Sequence, residues 1–352
     1  MALIMVLAVI FALGIIAGGF AYSMKVELRL AQNHGNETEL EWLGRSGVEL
    51  ARYVLALQMQ VPNQPYDALN QKWAGGVGVT NDVLADITLE NNELGMGMFS
   101  IKIIDLERKV NINAADQMIL QNAMNLMGMD STDSQGIINS ILDWRDPDDD
   151  PHINGTESDY YLTLKPPYYA KNGPIDDIAE LMLIRGVTSE LFWGPKGATN
   201  TPQNMNLANT MIPQRLGQGH QPQPQYAVGL VDLFSTLSGR QVNINTAPAA
   251  VLQLFPGIDA NVAQAIIQFR AGPDGVEGND DDTPLRNVGD LVNVPGLGRP
   301  MIGQLGRFFG VRSASFEVHV EARIGNYRRE YVAVLRRGQN PRDTQTLFFY
   351  WK

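Results

Sequence analysis

The first 24 residues, MALIMVLAVIFALGIIAGGFAYSM, are nearly all apolar and carry no charge; Lys25 is the first charged side chain. About 20 apolar residues suffice to cross a bilayer as a helix, so the pattern predicts a transmembrane helix over 1–24. Gly14, Gly18 and Gly19 give it small-residue faces where another helix could pack closely. The apolar run then becomes an amphipathic one. Leu40, Leu43, Gly47, Leu50, Ala51, Val54 and Leu57 recur at three- and four-residue steps, with Glu37, Glu39, Glu41, Arg45, Glu49 and Arg52 between them. This period predicts that the helix continues through 25–61 and stops at Val61-Pro62. At a rise of about 1.5 Å per residue it would be about 90 Å long.

A two-residue period appears elsewhere. Met98–Asp105, Ser315–Ala322, Arg329–Leu335 and Leu347–Trp351 read as strands, with a turn at Gly325-Asn326. One early strand and three late ones predict a small antiparallel sheet on the long helix. That α+β domain is assembled from 62–107 and 313–352, with the middle of the chain as an insertion. The insertion repeats itself. Val110-Asn111-Ile112-Asn113-Ala114-Ala115 returns as Val242-Asn243-Ile244-Asn245-Thr246-Ala247. A helix ending in Arg145 returns as one ending in Arg270, each followed by an acidic loop. Glu180-Leu181 with Arg185-Gly186-Val187 returns as Asp290-Leu291 with Pro295-Gly296-Leu297. These matches set a first helical repeat at 108–193 and a second at 240–312. The Gln-, Pro- and Gly-rich 194–239, including QRLGQGHQPQPQ, reads as a flexible linker.

Composition narrows the chemistry. The net charge is −11 over 352 residues, and the isoelectric point is near 4.9. Nucleic-acid binding by phosphate neutralisation is therefore not expected. Phe255-Pro256-Gly257-Ile258 and Pro295-Gly296-Leu297 resemble helix-hairpin-helix turns, yet no basic residue flanks the first. We read them as packing turns. With no cysteine and four scattered histidines, thiolate chemistry and a local His-x-x-x-His zinc site are absent. No nucleophile elbow, phosphate loop or dinucleotide fingerprint occurs, so an enzyme is not expected.

The acidic loops suit a hard cation, since calcium takes oxygens from carboxylates, amides and backbone carbonyls. The second loop offers Asp274, Glu277, Asp280, Asp281 and Asp282 with Asn279 and three glycines within eleven residues, and is the preferred calcium site. The first, with Asp146, Asp148, Asp149 and Asp150 following Asp143 and preceding Glu157, is the weaker candidate. A solvated acidic turn, or pairing with Arg270 and Arg286, would explain the second loop equally simply.

Taken together, these residues resemble the minor pseudopilins of the type II secretion system, specifically the large general secretion pathway protein K family. The carriers are the uncharged Met1–Met24 segment and Ile103-Ile104-Asp105 leading into Arg108-Lys109-Val110-Asn111-Ile112-Asn113. Asp159-Tyr160-Tyr161, Pro167-Tyr168-Tyr169-Ala170-Lys171-Asn172-Gly173-Pro174, Glu180-Leu181 and Val242–Pro248 add to them. The resemblance implies a type IV pilin-like fold with a helical domain inserted in the sheet. It also implies a basic leader removed by prepilin peptidase, Met1 as the mature and methylated N-terminus, and calcium in the helical domain. Most pilins carry a glutamate at the fifth mature position. This chain has Met5 there, and K-type members characteristically lack that glutamate, which suits a subunit with nothing above it.

The implied protein is a single-pass inner-membrane protein with a periplasmic C-terminal domain. It would cap a pseudopilus, prime its assembly and aid export of folded proteins. Its partners would be the I- and J-type minor pseudopilins, the major pseudopilin and the inner-membrane secretion platform. Met1, Met5, Leu40, Leu43 and Leu50 are the expected assembly residues. A minor pilin at the tip of a type IV pilus, or a calcium-regulated membrane-tethered binding protein, are the alternatives.

Overall fold

The computed structural model describes residues 2–78, 83–196 and 226–352. One helix, α1 (Ala2–Gln58), runs from the membrane-like segment into the folded domain without a break. Among the described residues it is the one helix long and apolar enough to cross a membrane, and its most apolar window is wholly unburied. Its second half behaves differently. Leu40, Leu43, Val48, Ala51, Val54 and Leu55 are buried against the sheet. Gly44 and Gly47 make that approach possible. A Cβ on Gly44 would lie 2.5 Å from the Tyr331 ring, and one on Gly47 would overlap Val320. The helix ends in a turn at Gln60 and Val61, before Pro62, as the pattern predicts.

The sheet has five antiparallel strands in the order β1-β2-β7-β8-β9. They are β1 (Asn92–Leu94), β2 (Gly97–Asp105), β7 (Ser315–Ile324), β8 (Tyr327–Arg337) and β9 (Thr344–Trp351). Strand β1 was not expected; with three residues it is too short to show an alternation. Phe99, Ile101 and Ile103 on β2 join Phe316, Val318 and Val320 on β7 in facing the helix core. Ser100, Lys102, His319 and Glu321 stand on the opposite face (adjacent Cβ atoms alternate across a strand). Because β2 pairs directly with β7, Asp105 lies opposite Phe316, and everything between them is an insertion.

That insertion is two copies of one helical unit sharing a single apolar core. The first opens with β3 (Val110–Asn111) and contains α2 (Gln117–Leu126), α3 (Ser131–Arg145), α4 (Ser158–Tyr161), α5 (Ser189–Trp193) and α6 (Leu230–Leu233). It closes with β4 (Phe234–Ser235), which pairs parallel to β3. The second opens with β5 (Val242–Asn243), contains α7 (Ala249–Leu252), α8 (Ala260–Arg270) and α9 (Arg299–Leu305), and closes with β6 (Phe309–Gly310) parallel to β5. The first copy therefore extends to Ser235, beyond the boundary at 193. Leu230, Leu233 and Phe234 are core residues rather than linker. Of the expected linker, 197–225 lies outside the described residues.

The repeated residues have repeated tasks. Asn113 donates to Ile175 O and accepts from Ile175 N, both at 2.8 Å. Asn245 makes the same pair with Leu285, both at 2.9 Å. Each asparagine thus pins the strand-like segment after its acidic loop to the start of its own copy. Arg145 reaches back to Ile112 O and Ala115 O, and Arg270 to Ile244 O at 2.5 Å. The left-handed Gly186 faces Ile137 of α3, and the left-handed Gly296 faces Val262 of α8.

The two asparagines differ in burial. Asn245 is 2% exposed, whereas Asn113 is exposed and water can replace its bonds. Asn245→Ala should therefore cost about 1–3 kcal/mol by stranding a buried N–H and C=O, and Asn113→Ala less than about 1 kcal/mol. Urea unfolding of both variants checks this ordering.

Candidate metal centre

The first acidic loop is built around a fully buried carboxylate. Asp143 sits in the last turn of α3 and has no exposed surface. Its Oδ1 accepts from the His152 backbone N–H at 3.1 Å and lies 2.5 Å from His152 Nδ1. Its Oδ2 accepts from Thr156 N at 2.5 Å. These bonds fold residues 146–157 back over the helix end. Gly155 is required there, because a Cβ would overlap Asp143 Oδ2.

The fold-back delivers Glu157 to Asp146 and Asp148. One carboxylate oxygen from each of the three lies within 4.8 Å of the others. Asp143, Asp146 and His152 form a second such group. Glu157 is only 5% exposed, yet neither of its oxygens has a hydrogen-bond partner, and Asp146 Oδ1 is likewise buried and unpartnered. Burial pushes the Glu157 carboxyl up to about 7, helped by the charges of Asp143, Asp146, Asp149 and Asp148. Burial also raises Asp146, followed by Asp148 and Asp143. Asp149 is engaged by Ser158 and Asn172 at 3.1 and 2.9 Å. Asp150 is exposed. Buried oxygens without donors, crowded by like charge, are chemically suited to a hard cation.

The second loop, preferred on composition, is arranged differently. Gly272, Gly275 and Gly278 adopt left-handed conformations with φ of 73°, 71° and 99°. Asp274 accepts from Asn279 at 2.7 Å, Asp281 from Asp274 N at 3.3 Å and Asp282 from Gly278 N at 2.8 Å. Glu277 pairs with the buried Arg270 at 2.5 Å, one of the alternatives the sequence offered. Asp280 is exposed. Asp282 Oδ1 and Asn279 Oδ1 are buried without partners, but among the described residues no three acidic groups of this loop converge. Geometry thus reverses the preference between the loops. His152 escaped notice because no second histidine stands near it in sequence; its partner is the helical Asp143.

The expected assembly residues need a correction. Leu40 and Leu43 are 4% and 2% exposed, inside the chain's own helix–sheet core. Leu50 packs against the same core. A neighbouring subunit cannot reach the first two. Met5 is exposed along with the rest of the apolar end, and where the helix packs on the sheet its exposed large apolar side chains are Trp42 and Tyr53, 65% and 56% exposed. Met1 lies outside the described residues. The Pro256-Gly257-Ile258 turn does pack inward: a Cβ on Gly257 would lie 2.7 Å from Met301. The N-cap that follows it is Asp259, an acid where a phosphate would bind.

A long helix whose second half is seated on an antiparallel sheet, with a helical domain between two neighbouring strands, defines a type IV pilin-like fold, and its exposed apolar first half fits a membrane anchor. Residues 97–193 match the family model for type II secretion system protein K, and residues 238–309 that for the helix-hairpin-helix motif. Type II secretion system protein K of Pseudomonas aeruginosa is 25% identical over 350 residues, spanning 96% of this chain and 89% of that protein. The Klebsiella pneumoniae protein of the same description is 22% identical over 205 residues, 54% of this chain and 59% of its own. Among solved structures, the GspK–GspI–GspJ complex of the enterotoxigenic Escherichia coli type 2 secretion system matches with a TM-score of 0.63 at 17% identity. That match covers 92% of this chain and 99% of the other. Along nearly its whole length the chain is thus similar to protein K of the type II secretion system, the family its motifs suggested.

The raised Glu157 carboxyl sets a pH dependence. A folded-state value above the ordinary 4.5 means that the folded protein holds the proton more tightly. In chelator, stability should be full at acid pH and fall as pH rises from 4.5 to about 7. Glu157→Gln should flatten that fall, as read by unfolding midpoints across the window.

Proposed function

We propose that this chain caps the tip of a type II secretion pseudopilus, with I- and J-type minor pseudopilins beneath it, primes the filament's assembly and aids export of folded proteins. Helix α1 would anchor it in the inner membrane with the remaining domains in the periplasm, and the role is structural rather than enzymatic. Prepilin peptidase would process it, and the major pseudopilin and secretion platform would follow in assembly. The observation that carries the reading is where the insertion attaches. Asp67, just beyond the end of α1, donates its N–H to Val311 O at 2.8 Å at the insertion's return to the sheet. The helical bulk therefore stands at the far end of α1 from the apolar segment, where it would obstruct a further subunit. Met5, without a charge to offer a neighbour's amine, agrees with this.

The exposed Trp42 and Tyr53 lie on the side of α1 that the sheet leaves free, and they are the side chains we assign to partner contact. Trp42→Glu combined with Tyr53→Glu should abolish co-purification with I- and J-type partners while leaving the melting temperature unchanged. Retained partners would reject the assignment, and selective capture of type IV pilus pilins would favour the pilus-tip reading.

We further propose that calcium is held in the first acidic loop, by Asp146, Asp148 and Glu157. A bound divalent ion would neutralise the crowded carboxylates and fix residues 146–157 against α3. Saturating calcium should raise the melting temperature by several degrees. The rise should vanish in Asp146→Asn with Glu157→Gln and persist in Asp280→Ala with Asp281→Ala. The opposite result would restore the second loop as the site.

A further inference from the structure

Where β2 hands the chain to the insertion, three acids are buried with one cation. Asp67, Asp105 and Glu107 are 2%, 2% and 3% exposed, and Arg337, at the end of β8, is 5% exposed. Arg337 donates to Asp67 and to Ser313 O. Asp105 Oδ2 accepts from Asn243 Nδ2 at 3.1 Å, Thr246 Oγ1 at 2.5 Å and Ser313 Oγ at 2.7 Å. Its Oδ1 accepts from Glu107 N at 2.8 Å. The Glu107 carboxyl accepts from Gly239 N at 3.0 Å, Ala314 N at 3.2 Å and Ser315 N at 2.9 Å. The two acids thus clasp both the start of the second helical copy and the segment that returns to the sheet.

Electroneutrality decides what state they are in. If all three acids were ionised, the joint would enclose more negative charge than Arg337 neutralises, in a space closed to water. Arg337 gives its bonds to Asp67 and Ser313 O, whereas Asp105 and Glu107 receive theirs from neutral amide, hydroxyl and backbone donors. Neutral donors cannot cancel two buried charges, but one shared proton removes one of them. We propose that the Asp105–Glu107 pair binds one proton at neutral pH, and that this proton keeps the inserted domain seated on the sheet.

The energetics agree in direction. Burial raises Asp105, against the pull of the Thr246 and Ser313 hydroxyls and with the push of Asp67. Burial, and then the Asp105 charge, push Glu107 up to about 8. A raised folded-state value means that the closed joint is favoured at acid and neutral pH, and that the advantage is lost as pH rises through about 8. On losing the proton, two like charges would touch. Release of residues 239–246 and 313–315 from β2 would let water reach them.

The chain lacks cysteine, so two labels can be placed specifically. Glu93→Cys on β1 and Gln304→Cys on α9, both exposed, span the joint. Nitroxide distances would be measured in the full detergent-solubilised chain from about pH 6 to about pH 9. The expected result is one narrow distribution at the acid end that broadens through about pH 8, and stays narrow when Glu107→Gln is added. An unchanged wild-type distribution across the range, or the same broadening in Glu107→Gln, would overturn the proposal. The unlabelled wild-type protein supplies a second measure should that variant fold poorly. With calcium present, infrared spectra at pH 7 should contain a protonated-carboxyl band that disappears towards about pH 9. Its absence at neutral pH would equally refute the shared proton.

Discussion

One carboxylate oxygen holds the two halves of this molecule together. Asp105 Oδ2 stands at the last position of β2 and accepts from Asn243, Thr246 and Ser313, residues that lie 138, 141 and 208 positions away. The long helix reaches the same point through Asp67, whose carboxylate receives Ser313 N and Arg337. Helix, sheet and both ends of the second helical copy are therefore tied at a single polar node. An apolar contact there would be non-directional. Hydrogen bonds to one oxygen fix angles as well as distances, which suits a large domain that hangs from the ends of two inner strands of a small sheet.

The helix–sheet half and the duplicated half solve the packing problem in different ways. In the first, Gly44 and Gly47 remove side chains so that α1 can lie close to Tyr331 and Val320. In the second, short elements that could not bury a core alone share one, and backbone groups at element ends are met by specific side chains. Asn113 and Asn245, with Arg145 and Arg270, do this in both copies. The duplication has kept the residues that serve the backbone, while the loops between them have diverged.

That division explains what could be read from the chain. The helix was legible because hydropathy and a 3.6-residue period are local signals. The main strands were legible from their alternation. The repeat was legible because Val-Asn-Ile-Asn and the helix-terminal arginines do the same work twice. The end of the first copy was not. Its closing bridge, Val110 with Phe234, is a pairing of two-residue strands with no period to detect. The acidic site was half legible. Composition marked both loops, but convergence in the first depends on Asp143 bonding to His152 and Thr156, contacts that spacing alone does not reveal. Leu40 and Leu43 were recognised as one apolar face, but the face points to the chain's own sheet rather than to a neighbour.

The insertion departs after Asp105 and returns at Ser315, beside Phe316, Asp105's partner across the β2–β7 pair. To the sheet, some two hundred residues of inserted chain are geometrically equivalent to a hairpin turn. The register of β2 against β7 is set whether that turn is long or short. Helical mass could therefore be gained, doubled or trimmed over evolution without the host sheet having to be rebuilt. A small pilin-like protein and this large one can then differ widely in loop length while keeping the same helix and sheet.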